Sequence, residues 1–151
     1  PVDRRKTGAK YTLLTDKNGV PLTMNVVGAN VSDHRLLLKT IVDFPRIGGK
    51  RGRPLEHPKD AYADAGYDSE DARTVLRWLG IEPHIRKKGT EHGSGLGKVR
   101  WVVERTISWV KGMRRLRTRY DRKTELILAW LSIAQAAICF HIWQEAVSVV
   151  T

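Results

Sequence analysis

The chain has 151 residues, 41% of them apolar, which is enough for one modest buried core and tight for two full domains. Its 27 Lys and Arg outweigh 16 Asp and Glu and leave a net charge of +11, a balance that points to an acidic partner. One cysteine, Cys139, excludes an internal disulfide framework and a cysteine-rich zinc site and fits a reducing, cytoplasmic setting.

The opening PVDRRKTGAK has no apolar run of the signal-peptide kind, and a start on Pro rather than Met is expected of a trimmed chain or of part of a longer product. Ala9 to Thr15 reads as a strand, Asp16-Lys17-Asn18-Gly19 as a turn, and Val20 to Gly28 as the returning strand of a β-hairpin. Pro21 lacks an N–H for the ladder, so it belongs at the start of the second strand or on its free edge.

Ser32 or Asp33 can cap a helix that Leu36, Leu37, Ile41 and Val42 carry until Pro45. Arg46 to Pro58 is basic, rich in Gly and Pro, and reads as a loop. Asp60 to Ala63 is a short strand that ends in Asp64. After Gly66-Tyr67, Asp68 or Ser69 opens a helix to Leu79, and Gly80 stops it. Ile81 to Ile85 is a further strand, and Arg86 to Gly97 is a glycine-rich basic loop.

A long helix is expected from about Lys98 to Arg117, and a last one from Glu125 to about Val147. The stretch Leu126 to Trp143 approaches the ~20 apolar residues of a bilayer span, but Ser132, Gln135 and His141 interrupt it. The expectation is therefore not a membrane helix. It is a helix buried on most sides, or one packed on a missing segment or a second protomer.

The positive charge is concentrated. Between Arg86 and Lys123 there are thirteen Lys or Arg against Glu91, Glu104 and Asp121, a net +10 in 38 residues. Such a field attracts a phosphate backbone in a salt-dependent way. At about 100° per residue, Arg100, Glu104 and Lys111 share a narrow stripe of the long helix. Leu96, Val99, Val103, Ile107 and Val110 fall on the adjoining face, so the charged stripe is expected along the margin of the buried one.

Asp64 closes a strand and precedes Ala65-Gly66-Tyr67. A carboxylate there is fixed by a rigid sheet, while Gly66 permits close approach; the competing reading is a cap for a turn. Two carboxylates from distant parts of the chain, beside a basic surface, suit Mg²⁺ held through oxygen ligands and substrate phosphates. In two-metal phosphoryl transfer one ion activates the attacking oxygen and the other steadies the leaving one.

Four segments carry a resemblance: DRRKTGAKYTLLTDKNGVPL at 3–22, ANVSD at 29–33, YADAGYD at 62–68 and RWVVERTISWVKGMRRLRTRY at 100–120. Together they resemble the DDE transposases of the IS4/IS5 type and span nearly the whole chain in the expected order. The resemblance implies an α/β catalytic domain with an RNase H-like mixed sheet flanked by helices, its first strand missing, over 1–123. The long apolar C-terminal helix of 124–151 would pack on that domain or on a partner.

It further implies that Asp64 is the second acidic member of the triad and Glu104 the third, both holding Mg²⁺, with Mn²⁺ as a substitute. Arg100, Glu104 and Lys111 fit the family helix pattern, whereas Gly97 stands where that pattern has Tyr. The first catalytic Asp of the family lies on a strand before the hairpin; Asp3 and Asp16 are no substitutes, so this portion alone is expected to be inactive.

The implied partners are double-stranded DNA, at the element ends and the target, and a second copy of the chain or an upstream transposase segment. Arg100 and Lys111 would touch phosphates of the element end, or else pair with Glu104 as a surface ion pair. Lys87, Lys88, Arg114, Arg115, Arg117 and Arg119 would add sequence-independent backbone affinity. The alternative reading is a non-catalytic DNA-binding remnant that uses the same basic helix.

His84, His92 and His141 lack zinc-site pairing and read as loop or core residues. Trp101 and Trp109 read as core or partner contacts rather than base-stacking platforms. Gly89 to Gly97 lacks the Lys-Ser/Thr ending of a nucleotide-binding loop.

Overall fold

A computed structural model describes residues 2–3, 6–49, 51–89, 97–118 and 120–149. The chain is mixed α/β and divides into two compact units, one of residues 1–29 and 100–151, the other of residues 30–99.

In the first unit, two short strands, β1 (Val2–Asp3) and β2 (Lys6–Thr7), pair antiparallel where no strand was expected. The hairpin follows as read: β3 (Ala9–Thr15) pairs antiparallel with β4 (Pro21–Gly28), and Pro21 sits at the start of its strand. The turn is built locally. Asp16 Oδ1 accepts the backbone N–H groups of Asn18 and Val20, each at 2.9 Å, and Gly19 takes φ +89°, a conformation open to glycine at no steric cost.

That glycine also lies against α3 (Gly97–Gly112). A Cβ on Gly19 would stand 2.7 Å from an Arg105 guanidinium nitrogen and 3.1 Å from the Thr106 hydroxyl. Arg105 donates to the Asn18 carbonyl, and the fully buried Thr106 hydroxyl donates to that of Gly19 at 2.9 Å. A buried hydroxyl is tolerated because it is satisfied.

Two expectations for this helix are corrected. Its buried stripe is Val102, Thr106 and Val110, while Val99 is exposed and Val103 and Ile107 are only half-buried. The apolar count favoured the β-branched valines, but the hairpin turn selected the face that carries Thr106. The helix also ends at Gly112 and does not run to Arg117. Met113 is extended (φ −76°, ψ 120°), and a separate turn, α4 (Arg114–Arg117), is pinned by buried Leu116.

The last helix, α5 (Thr124–Ser148), lies against β4. Its Ile127, Leu131, Ala134 and Ile138 join Val26, Val110 and Leu116 in one core. Gln135 interrupts the apolar run for a reason: its amide donates at 3.1 Å to the carbonyls of Pro21 and Leu22. By length and composition α5 could cross a membrane, the only such helix among the described residues; it packs on the hairpin with only Ile127, Leu131, Ala134 and Ile138 buried, so the expectation of a helix buried on most sides is corrected.

In the second unit, α1 (Asp33–Val42) packs on α2 (Glu70–Trp78) and on a 3-10 turn at Ala65–Tyr67. Strands β5 (Asp60–Ala63) and β6 (Glu82–Ile85) pair in parallel, with α2 as the crossover such pairs require. Leu37, Ile41, Ala61, Ala72, Leu76, Ile81 and Ile85 form this unit's own core. Gly80 at φ +75° ends the segment after α2 as read.

Ser32 and Ser69 occupy the N-caps of α1 and α2 without a side-chain cap bond. Asp68 is engaged elsewhere, as described below. The expected loop 46–58 is closed by an isolated bridge between Ile47 and Leu55. The strands of the described residues are joined in pairs, in three two-stranded sheets, rather than in the single mixed sheet expected.

Candidate active site

Asp64 stands at the carboxyl end of β5 and caps the following turn, its Oδ1 accepting the Gly66 N–H at 2.9 Å. The turn-cap reading and the strand-end reading are therefore both realised. The structure brings a second carboxylate to the same place. A Cβ added to Gly66 would lie 3.0 Å from Asp64 Oδ1 and 3.0 Å from Asp33 Oδ2.

Gly66 thus leaves a notch with an acidic oxygen on each side. Sequence reasoning saw Asp33 only as a helix cap, although ANVSD was one of the segments that carried the resemblance. Helix α1 delivers Asp33 here because it packs on the 65–67 turn, a contact no local pattern encodes.

Tyr67 reports the field of the pair. Its hydroxyl is pushed up to about 12, by burial first and then by the negative charges of Asp33 and Asp64. The donor set is hard oxygen, which fits a magnesium-like ion; such ions take one or two carboxylates, keep waters and accept substrate phosphate oxygens. Among the described residues no group of three or more His, Cys, Asp or Glu is placed to enclose a metal.

A third acidic residue of this unit has a different task. Asp68 accepts two bonds from the Arg73 guanidinium through Oδ1, at 2.7 and 3.1 Å, and the Lys88 N–H through Oδ2 at 3.0 Å. Arg73, itself buried, also donates to the Ile85 carbonyl at 2.8 Å. The Lys88 N–H and the Arg73 guanidinium hold the Asp68 carboxyl below the usual carboxylate range. This clamp ties the segment carrying Lys87 and Lys88 to α2.

On β6, His84 Nε2 lies 2.8 Å from Asp60 Oδ1, and its ring stacks on Tyr62 at 4.4 Å. His84 is therefore a strand residue with a carboxylate partner, not the loop or core residue expected. His141 is exposed on α5, 3.3 Å from Glu145, and is likewise not core. His92 lies outside the described residues.

Glu104 projects from an exposed face of α3. At about 100° per residue it stands far round the helix from the buried Val102, Thr106 and Val110, rather than along their margin. Arg100 pairs with it at 3.3 Å, which realises the ion-pair reading of that arginine. Lys111 is exposed at the last turn.

Arg105, absent from the sequence reading, lies next to Glu104 and is sandwiched by Trp101 and Trp109, its guanidinium carbon 4.6 and 4.8 Å from their ring centroids. Of those tryptophans Trp109 is half-buried and packs on the core, as read, whereas Trp101 is 51% exposed and is not a core residue. The i−4, i, i+4 spacing of Trp, Arg and Trp was the available signal. Arg105 and Thr106 together fix the register of α3 on the hairpin turn, and so the direction in which Glu104 points.

The basic residues fall into separate groups. Lys87 and Lys88 follow β6. Arg114, Arg115 and Arg117 are exposed on α4, where Arg115 lies over Trp130 at 5.5 Å and 3.7 Å from Asp121. Arg119 lies outside the described residues. Cys139 is half-buried, and burial, with a smaller effect of Asp16, raises its thiol pKa, the opposite of what a nucleophile needs.

The family model described as "Transposase DDE domain" matches residues 2–139. A Burkholderia cepacia protein assigned as the transposase for insertion sequence element IS402 is 49% identical over 146 residues, which cover 97% of this chain and 69% of that protein. No solved structure matches the chain.

Proposed function

The chain belongs to the DDE transposases of insertion sequences, a nuclease and strand-transferase family that uses divalent metal ions, and from that premise we propose that Asp64 and Glu104 are two of its catalytic carboxylates. The observation that carries the reading is the strand-end Asp64, held by the Gly66 N–H, with Asp33 on the other side of the notch. In this reading Asp33 is a third acidic residue of the reaction, added to the pair legible in the sequence.

Asp64 and Glu104, with Asp33 beside Asp64, would hold a divalent ion, Mg²⁺ with Mn²⁺ as a substitute. When bound, it supplies Lewis acidity toward the scissile phosphodiester and toward the attacking water or 3′-hydroxyl. Asp64 is oriented by backbone, through the Gly66 N–H on its Oδ1. Arg100 and Lys111 meet phosphates of the element end, and Arg100 must exchange its bond to Glu104 for one to DNA. Lys87, Lys88, Arg114, Arg115, Arg117 and Arg119 add salt-dependent affinity for double-stranded DNA without reading its sequence.

The fold in this reading is RNase H-like over 1–123, with 124–151 packing as a C-terminal helix, and the protein acts in the cytoplasm. It works as a homo-oligomer or with a further transposase segment. One observation favours a second reading, a non-catalytic DNA-binding remnant: Glu104 is engaged by an arginine of its own helix.

Cleavage of DNA bearing the element ends, with Mg²⁺ or Mn²⁺, decides between them. The chain is compared with one joined to its preceding coding sequence, each with Asp64→Ala and Glu104→Ala versions. Activity confined to the joined form and abolished by both substitutions supports the catalytic reading. Salt-sensitive DNA binding with no cleavage in either form supports the remnant.

A further inference from the structure

Helix α5 has two apolar faces, and the hairpin uses one. On the other, Leu126, Ile133, Phe140 and Val147 recur every seven residues, all 44–57% exposed. Ala129, Ala136 and Trp143 stand three residues beyond the first three, and they are exposed too. This is the a and d pattern of a helix that packs along another helix, sustained for three heptads.

We propose that this seam is the site at which two copies of the chain pair, α5 against α5, antiparallel. Three features select a second copy. The first is size matching within the seam itself: antiparallel pairing of a with d positions sets Phe140 opposite Ala129 or Ala136 in the two registers of longest overlap, whereas parallel in-register pairing would stack Phe140 on Phe140.

The second is charge. The chain carries +11, yet α5 contains no Lys or Arg and only Glu125 and Glu145 as acids. DNA finds no cation on this face, while an identical uncharged seam fits it. The third is area. The exposed parts of Leu126, Ile133, Phe140, Trp143 and Val147 amount to roughly 600 Å² per copy, so their complete burial in both copies would reach about 1,200 Å², the lower end for a stable specific interface.

A lipid bilayer is the competing occupant for so apolar a helix. It conflicts with the other face, where Gln135 is bonded to the Pro21 and Leu22 carbonyls and Leu131 is buried in the core. The proposal deepens the oligomeric part of the function above. Its readout is mass rather than cleavage, so its failure leaves the catalytic reading standing.

The test is sedimentation equilibrium of the whole chain from 1 to 100 µM, beside an Ile133→Glu/Phe140→Glu version whose helicity is checked by circular dichroism. Both positions are exposed, so the core is untouched. A dimer whose dissociation constant rises at least 100-fold in the double variant is expected. A second measurement uses Ala136→Cys in a Cys139→Ala background, where a short bis-maleimide should capture a covalent dimer. A monomer throughout, a dimer equally strong in the double variant, or partition of the native chain into phosphatidylcholine vesicles without dimerisation would each overturn it.

Discussion

The two units hold their carboxylates in opposite ways. In the unit of residues 30–99, Asp64 is fixed by backbone: a parallel strand ends on it, the Gly66 N–H holds one oxygen, and a packed helix brings Asp33 to the same glycine. In the other unit, Glu104 rides on the outer face of a helix and accepts a long bond from Arg100. What is fixed there is the helix beneath it, through Arg105 and Thr106 on the hairpin turn. The lesson is that a strand end positions an acid directly, whereas a helix positions one only through its register.

The largest expected effects test whether each unit rests on its own core. Leu76→Ala and Leu131→Ala empty fully buried sites in the second and first units respectively, and each should cost about 2–5 kcal/mol in urea denaturation. Hydrogen exchange should show protection lost first in the unit that carries the substitution. Uniform loss from either change would mean that the two cores are one.

Next is the helix register. Gly19→Ala puts a side chain at φ +89° and against Arg105, at a cost of about 1–3 kcal/mol, and it should shift α3 on the turn. Gly66→Ala is milder, because its backbone needs no left-handed conformation, but the new methyl meets both carboxylates. It should weaken Mn²⁺ binding more than it weakens the fold, and calorimetry with a melting curve separates the two. An equal loss of both would make the notch merely structural.

The smallest effects are in the titrations. Asp68 has its pKa lowered, so its contribution to stability is present above the ordinary carboxylate range and is lost as pH falls through the folded value. Asp68→Asn should flatten that acid limb and loosen the segment of Lys87 and Lys88. Tyr67 has its pKa raised to about 12, so its contribution is intact below about 10 and is lost as pH rises toward the folded value. Ultraviolet titration should show Tyr67 ionising late, and earlier in Asp33→Asn.

Much of this was legible because it is local. The turn Asp16 to Gly19, Pro21 at a strand start, Asp64 at a strand end and Gly80 as a stop all follow from neighbouring residues. What was missed depends on distant partners. Thr106 is buried because Gly19, 87 residues away, accepts its bond, so hydropathy named Val110 correctly but set the rest of the buried stripe on the neighbouring Val99, Val103 and Ile107. Asp33 reaches Gly66 only through the packing of α1, and Arg73 is buried only because Asp68 and Ile85 satisfy it. The break at Gly112 depends on Leu116 entering a core that α5 completes.

The central claim of the proposed reading is that the strand-end carboxylate Asp64, with Asp33 beside it, is a metal-holding group, Glu104 being the other. Amide spectra of the isotope-labelled chain with substoichiometric Mn²⁺ test it most directly, since the paramagnetic ion broadens the signals nearest to it. The account predicts that Asp33 and Asp64 to Tyr67 broaden first and that Asp64→Asn abolishes the effect. Broadening centred elsewhere, or unchanged in Asp64→Asn, would contradict it.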